Sequence, residues 1–209
     1  MTLHRDDNST ADRILDVAEA LVQRRGFNGF SYAHIAAELG ITKASLHYHF
    51  RGKSELGEAL VARYAARFAQ ALDVIDRTKR GAPDKLGAYA DLYSDVLRDE
   101  RMCLCGMLAA EYETLPKPMG RAIVHFFDAN HTWLARVLAD GRRADTLVFD
   151  GNPSDSAQSI LAGLEGAMLI ARPYGDPGRF EAAAGRLLAT FVTRSSRAKR
   201  GVRTAGTVA

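Results

Sequence analysis

Residues 41–56 read ITKASLHYHFRGKSEL, and the reading of this run decides the fold. Leu46 and Phe50 stand four apart, the spacing that puts two side chains on one face of a helix. Lys43, Ala44, Ser45, His47 and Tyr48 then fall on the other side. One face of the segment anchors in a core and the other is offered to something outside it. Thr42 is a natural cap before this helix and Gly52 a stop after it. Upstream, a second helix is expected from Ser31, with Ile35, Ala36 and Leu39 inward, and Gly40 supplies the left-handed residue of a tight turn. Helix, glycine turn and helix within about 20 residues outline a helix-turn-helix, whose second helix enters the DNA major groove with its N-terminal residues leading. Lysine suits a guanine edge or a phosphate, serine an edge or the backbone, and alanine a thymine methyl. Tyrosine and histidine tips can donate to phosphate oxygens. Lys53 and the first amides of the next helix would add an anion site.

Helical periodicity extends outward from this run in both directions. Before it, STADRILDVAEALVQRRG places Ile14, Val17, Ala18, Leu21 and Val22 on one stripe, with Ser9 as the expected N-cap and Gly26 as the stop. Phe27 and Phe30 follow as core plugs. After it, a long helix is expected from residue 53 to about residue 80. Further helices are expected over about 84–99, in MCLCGMLAAEYE, and in a long stretch after LPKP that carries Ile123, Phe126, Phe127, Asn130, Leu134, Val137 and Leu138. RADTLVFDGNPSD reads as a loop with a brief extended piece at LVF, and two last helices close the chain. The fold class is all-α, with about nine helices.

Apolar residues make up 47% of the 209, which allows a real core and excludes wholesale disorder. No apolar run approaches the ~18 residues needed to span a bilayer. The start, MTLHRDDNST, has no apolar signal region, so a soluble cytoplasmic protein is expected, with no membrane partner. Net charge is +3, yet Arg194, Arg197, Lys199, Arg200 and Arg203 crowd the end; without them 23 basic residues face 25 acidic ones. Overall charge therefore says little about nucleic acid, and local placement must carry that argument. The tail reads as disordered.

The run GFNGFSYAHIAAELGITKASLHYHFRGKSEL, within a match over about residues 14–60, resembles the DNA-binding domain of the TetR/AcrR repressors. The shared marks are the Gly-Phe turn, the IA…LG second helix, the aromatic-His-Phe end of the reading helix and the lysine opening helix four. Where that family usually has tyrosine after the buried leucine, this chain has His47, and Tyr48 follows; which of the two meets a phosphate stays open. The resemblance implies a ligand-responsive repressor that binds a palindromic operator in double-stranded DNA as a homodimer. It implies phosphate contacts from Ser31 and Tyr32, contacts from Thr42, Lys43, Ala44, Ser45, His47, Tyr48 and His49, and phosphate binding by Lys53. It also implies residues 1–52 as the DNA-binding domain, 53–195 as the ligand-binding and dimerisation domain and 196–209 as the tail.

Beyond the head, the last two helices are expected to pair across a two-fold axis through Leu161, Gly163, Leu164, Gly166, Ala167, Phe180, Ala184, Leu187, Leu188 and Phe191. The alternative is that these faces bury one another within one subunit. A small-molecule effector would meet the soft and aromatic residues Met102, Cys105, Met107, Leu108, Tyr112, Phe126, Phe127, Trp133 and Met168, with Glu111, Asn130, His125 and His131 as polar points. A plain core is the alternative for each. Cys103 and Cys105 lie two apart, so on a helix they diverge; one is a core hydrophobe and the other either that or a thiolate sensor of electrophiles, with Arg101 near enough to lower its pKa. His47 with His49, and His125 with His131, have poor spacing for chelation, so no metal is expected. No nucleophile elbow or phosphate loop is present, and no cofactor or catalysis is expected. A DNA-binding activator or adaptor without a small ligand is the rival reading.

Overall fold

The structure, a computed structural model, describes residues 4–192, with side chains from Thr10 onward. Among the described residues there are nine α-helices, two 3-10 turns and one isolated antiparallel bridge, Leu147 to Val192. That bridge is the expected extended piece, tied by the Val148 N–H to the Phe191 carbonyl at 2.9 Å. The helices are α1 His4–Arg25, α2 Tyr32–Leu39, α3 Lys43–His49, α4 Lys53–Thr78, α5 Ala82–Arg98, α6 Leu104–Ala110, α7 Lys117–Arg143, α8 Pro153–Ala171 and α9 Pro177–Ala189. Ser9 lies inside α1, so it is not the cap the capping pattern suggested. The basic tail of residues 196–209 lies outside the described residues.

The helix ends follow local chemistry. Asn152 accepts the Asp155 N–H at 2.8 Å, and Pro153 sits at the first position of α8, where its missing N–H costs nothing. Asp176 and Pro177 repeat the device on α9, with the Gly178 N–H donating at 2.9 Å. The LPKP break is also a start: α7 opens at Lys117 and takes Pro118 in its first turn.

Two compact units divide the chain. Among the described residues, the first holds 4–70 and 99–127 and the second holds 71–98 and 128–192. This division differs from a boundary at residue 52, because the first turns of α4 and α7, and all of α6, belong with the head. In the first unit Ile14, Val22, Phe27, Phe30, Ile35, Leu46, Leu56 and Leu60 are buried. Glu19, itself buried, ties α1 to Arg63 and Arg67 of α4. In the second unit the core includes Tyr89, Tyr93, Leu134, Leu164 and Phe180. There Tyr89 donates to Asn130 at 3.0 Å and stacks on Trp133 at 5.5 Å. Asp76 accepts from Lys85 at 2.6 Å, Arg136 at 2.6 Å and the Trp133 indole at 3.0 Å. Burial pushes this carboxyl up, but those bonds and the Arg136 charge together hold it below the usual range.

Candidate DNA-reading surface

The head forms as its sequence dictates. Gly40 takes the left-handed conformation at φ +66° and its N–H returns to the Ala36 carbonyl, closing α2. Thr42 then caps α3, its hydroxyl accepting the Ser45 N–H at 3.1 Å. Leu46 is fully buried and Phe50 nearly so, which pins one face of α3 to the core. The opposite face carries Lys43, Ala44 and His47, all exposed, and Tyr48, 74% exposed. Ser45 and His49 are half-buried, the latter edge-on to Tyr48 at 5.1 Å. Ser31 is exposed at the start of α2, its N–H donating to His34 Nδ1 at 3.1 Å.

His47 and Tyr48 are placed differently. The His47 ring leans on Tyr32 at 4.9 Å, and its Nδ1 donates to the Arg51 carbonyl at 3.1 Å. Tyr32 in turn donates to the Phe50 carbonyl at 3.0 Å. Both rings are thus held against the end of α3, while Tyr48 extends outward.

Lys53 departs from the expected phosphate contact. Its ammonium donates to the carbonyls of Phe27 and of Phe30, the latter at 2.5 Å, and lies 4.6 and 4.3 Å from the two ring centroids. Burial pushes its pKa down, with the Glu111 charge opposing. The Arg51 N–H, ahead of α4, is taken by the Glu55 carboxylate at 2.9 Å. The start of α4 is therefore braced internally, with the Lys53 charge turned to the Phe27–Phe30 turn and the Arg51 N–H held by Glu55.

The effector residues do not gather at one described cavity. Met102, Cys105, Leu108 and Phe126 are buried in the first unit, with Met107 and Phe127 half-buried. Tyr112 is 48% exposed. Glu111 is spent on the turn after α1, where it accepts backbone N–H groups. Asn130, Trp133 and Met168 are buried in the second unit, and the polar tips of the first two bond to Tyr89 and Asp76. His125 is exposed, and His131 lies against Ser154. A cavity of about 280 Å³ does lie between α5 and α9, lined by Leu86, Ala90, Ser94, Phe180, Leu188 and Val192 among others, none of them expected there.

The expected pairing face is corrected in part. Leu161, Leu164, Phe180, Ala184 and Phe191 are buried within the single chain, so they are core. Gly163 faces inward too, since a Cβ there would stand 2.7 Å from Leu187, itself half-buried. Gly166 has nothing within 4 Å of such a Cβ, and Ala162, Leu169 and Ile170 are exposed with it, while Ala167 and Leu188 are half-buried. Both cysteines are buried and in no disulfide among the described residues; the Tyr64 hydroxyl donates to Cys103 Sγ at 3.7 Å. Arg101, expected at a thiol, pairs with Asp99.

A capped, outward-facing reading helix on a buried three-helix base, followed by a helical body, defines a DNA-binding regulator. The family model described as "Bacterial regulatory proteins, tetR family" matches residues 14–60, and "Tetracyclin repressor-like, C-terminal domain" matches 82–187. The chain belongs to the TetR family of transcription regulators. It is similar to the HTH-type transcriptional repressor NemR of Escherichia coli K12, 28% identical over 173 residues, or 79% of this chain and 85% of that protein. A TetR-family regulator from Agrobacterium tumefaciens has the same fold at a TM-score of 0.86 and 32% identity, over 90% of this chain and all of that one (100%). E. coli NemR in its reduced form matches at 0.78 and 25% identity, over 88% and 98% of the two chains.

Proposed function

We propose that this chain is a ligand-responsive repressor that binds a palindromic operator as a homodimer in the cytoplasm. One observation carries the DNA reading: α3 is locked by Leu46 and the Thr42 cap while Lys43, Ala44 and Tyr48 stand exposed on its other side. Lys43 and Ser45 then address base edges and phosphates, and Ala44 a thymine methyl. Tyr48 is our choice for the phosphate contact that the sequence left open, because His47 is committed to Arg51. Ser31, Tyr32, Thr42, His47, His49 and Lys53 shape and hold the head around these contacts. Similarity to a protein named a repressor supports repression. The effector is small and apolar in this reading. Its coupling to DNA runs along α4, a single helix whose residues contribute to both units, and a coupling of about 1–3 kcal/mol suffices.

A second reading makes the signal an electrophile acting at a thiol. The Tyr64 hydroxyl beside its sulfur makes Cys103 our candidate for that role.

The test uses operator fragments selected by the protein from its own genome. Lys43→Ala is expected to weaken binding, relax base preference and reduce the steepness of log K against log salt by about one. Tyr48→Phe should weaken binding to all sequences alike. Wild-type affinity in both variants would overturn the docking.

A further inference from the structure

We propose that Glu111 is a positioning residue for DNA reading: its carboxylate clamps the turn from which the helix-turn-helix is suspended. This rests on the DNA-binding reading above. The turn begins where α1 ends at Gly26, in the left-handed region at φ +80°, which aims the next amides away from the helix. Glu111 accepts the Phe27 N–H at 2.5 Å and the Asn28 N–H at 3.2 Å. The fit is close, because a Cβ on Gly26 would stand 2.7 Å from the carboxylate. A second link runs beside it: Asn28 Nδ2 donates to Thr114 Oγ1 at 2.7 Å, and that hydroxyl donates to the Glu111 carbonyl at 2.8 Å.

The same turn is gripped on its carbonyl side by Lys53, through Phe27 and Phe30. An anion holds the amides and a cation holds the carbonyls. The C-terminal end of a helix is a poor place for a carboxylate, since the macrodipole is negative there. Two charge-assisted bonds and the nearby ammonium offset that cost. Ser31 follows directly as the cap of α2, so fixing residues 27–30 sets where α2 and α3 begin. Glu111 ends α6, so whatever moves α6 acts on the reading head through this carboxylate.

The experiment compares wild type, Glu111→Ala and Glu111→Gln in operator binding over a range of salt. Amide hydrogen exchange is followed over residues 27–50. Glu111→Ala is expected to bind about tenfold more weakly, the weight of a charge-assisted hydrogen bond, with an unchanged salt slope because no phosphate contact is lost. Exchange at Phe27 and Asn28 should quicken, and that of α2 and α3 with it. Glu111→Gln keeps an acceptor oxygen and should fall between. A purely structural role would lower the melting temperature yet leave operator affinity and α2–α3 exchange as in wild type; that result overturns the proposal. Failure of wild type itself to bind selected DNA would sink the DNA reading instead, and exchange would still report on the clamp.

Discussion

Tyr32 shows how one side chain serves the end of the reading helix. Its hydroxyl donates to the Phe50 carbonyl and its ring supports His47. Its pKa is pushed up to about 12, chiefly by burial, with the Glu55 charge adding. A value raised above the ordinary 10 means that the unfolded chain ionises first as pH climbs. The contribution to stability is therefore complete below about pH 10 and is lost between about pH 10 and 12. Tyr32→Phe removes the hydrogen bond and should cost about 1 kcal/mol at neutral pH. In urea unfolding, the advantage of wild type over the variant should narrow as pH rises through 10; a constant gap would refute the assignment. At this scale the sequence was legible where contacts are local. Thr42, Leu46 and Phe50 announce themselves by spacing and capping chemistry within nine residues of chain. Glu111 does not, because its amide partners lie 83 and 84 residues away. An acid in an apolar stretch looks like a polar point in a pocket. Lys53 misled for the same reason, since nothing in its neighbourhood reveals two carbonyls at a distant turn.

Elements were legible to the extent that their periodicity was one-sided. The reading of α1 to α7 rested on stripes flanked by glycine, proline and caps, and each of these helices is present. In α8 the middle of the helix is apolar or small on nearly every side, so no moment could select its inner face. Leu161, Leu164 and Met168 turned inward, while Ala162, Gly166, Leu169 and Ile170 turned out. Two glycines three apart thus have different uses, one admitting Leu187 and the other leaving an open surface. The α6 helix adds a question of chemistry. Cys103 caps it and Cys105 lies within it, and both are buried. An electrophile that signals through a thiol should react with Cys103. Cys103→Ser should then abolish operator release by a maleimide, and Cys105→Ser should leave it intact. Release that persists with both thiols replaced would remove the electrophile reading and leave the apolar effector.

At the scale of the whole molecule, the fold leaves a largely exposed apolar surface among the described residues. Leu169 is 58% exposed, Ile170 67% and Tyr174 60%, with Ala162 and Gly166 on the same side of α8. A monomer gains nothing by displaying these groups to water. A second copy would cover them by two-fold symmetry, so each residue would act twice in one interface. Gly166 has room for a close neighbour: apart from its chain neighbours and the adjoining helix backbone, no atom of the described residues comes within 4 Å of a Cβ placed there. The operator logic requires the same arrangement, because two reading helices must meet half-sites about 34–36 Å apart. Ile170→Glu places a charge in the middle of this surface and no strain on the fold, since the side chain is already exposed. Sedimentation equilibrium should show wild type as a dimer and the variant as a monomer with an unchanged melting transition at high protein concentration. Binding to a full palindrome should fall at least 100-fold, the order of avidity lost when two linked contacts become one. Binding to an isolated half-site should hardly change. If Ile170→Glu remains a dimer, the α8 surface is not the pairing face.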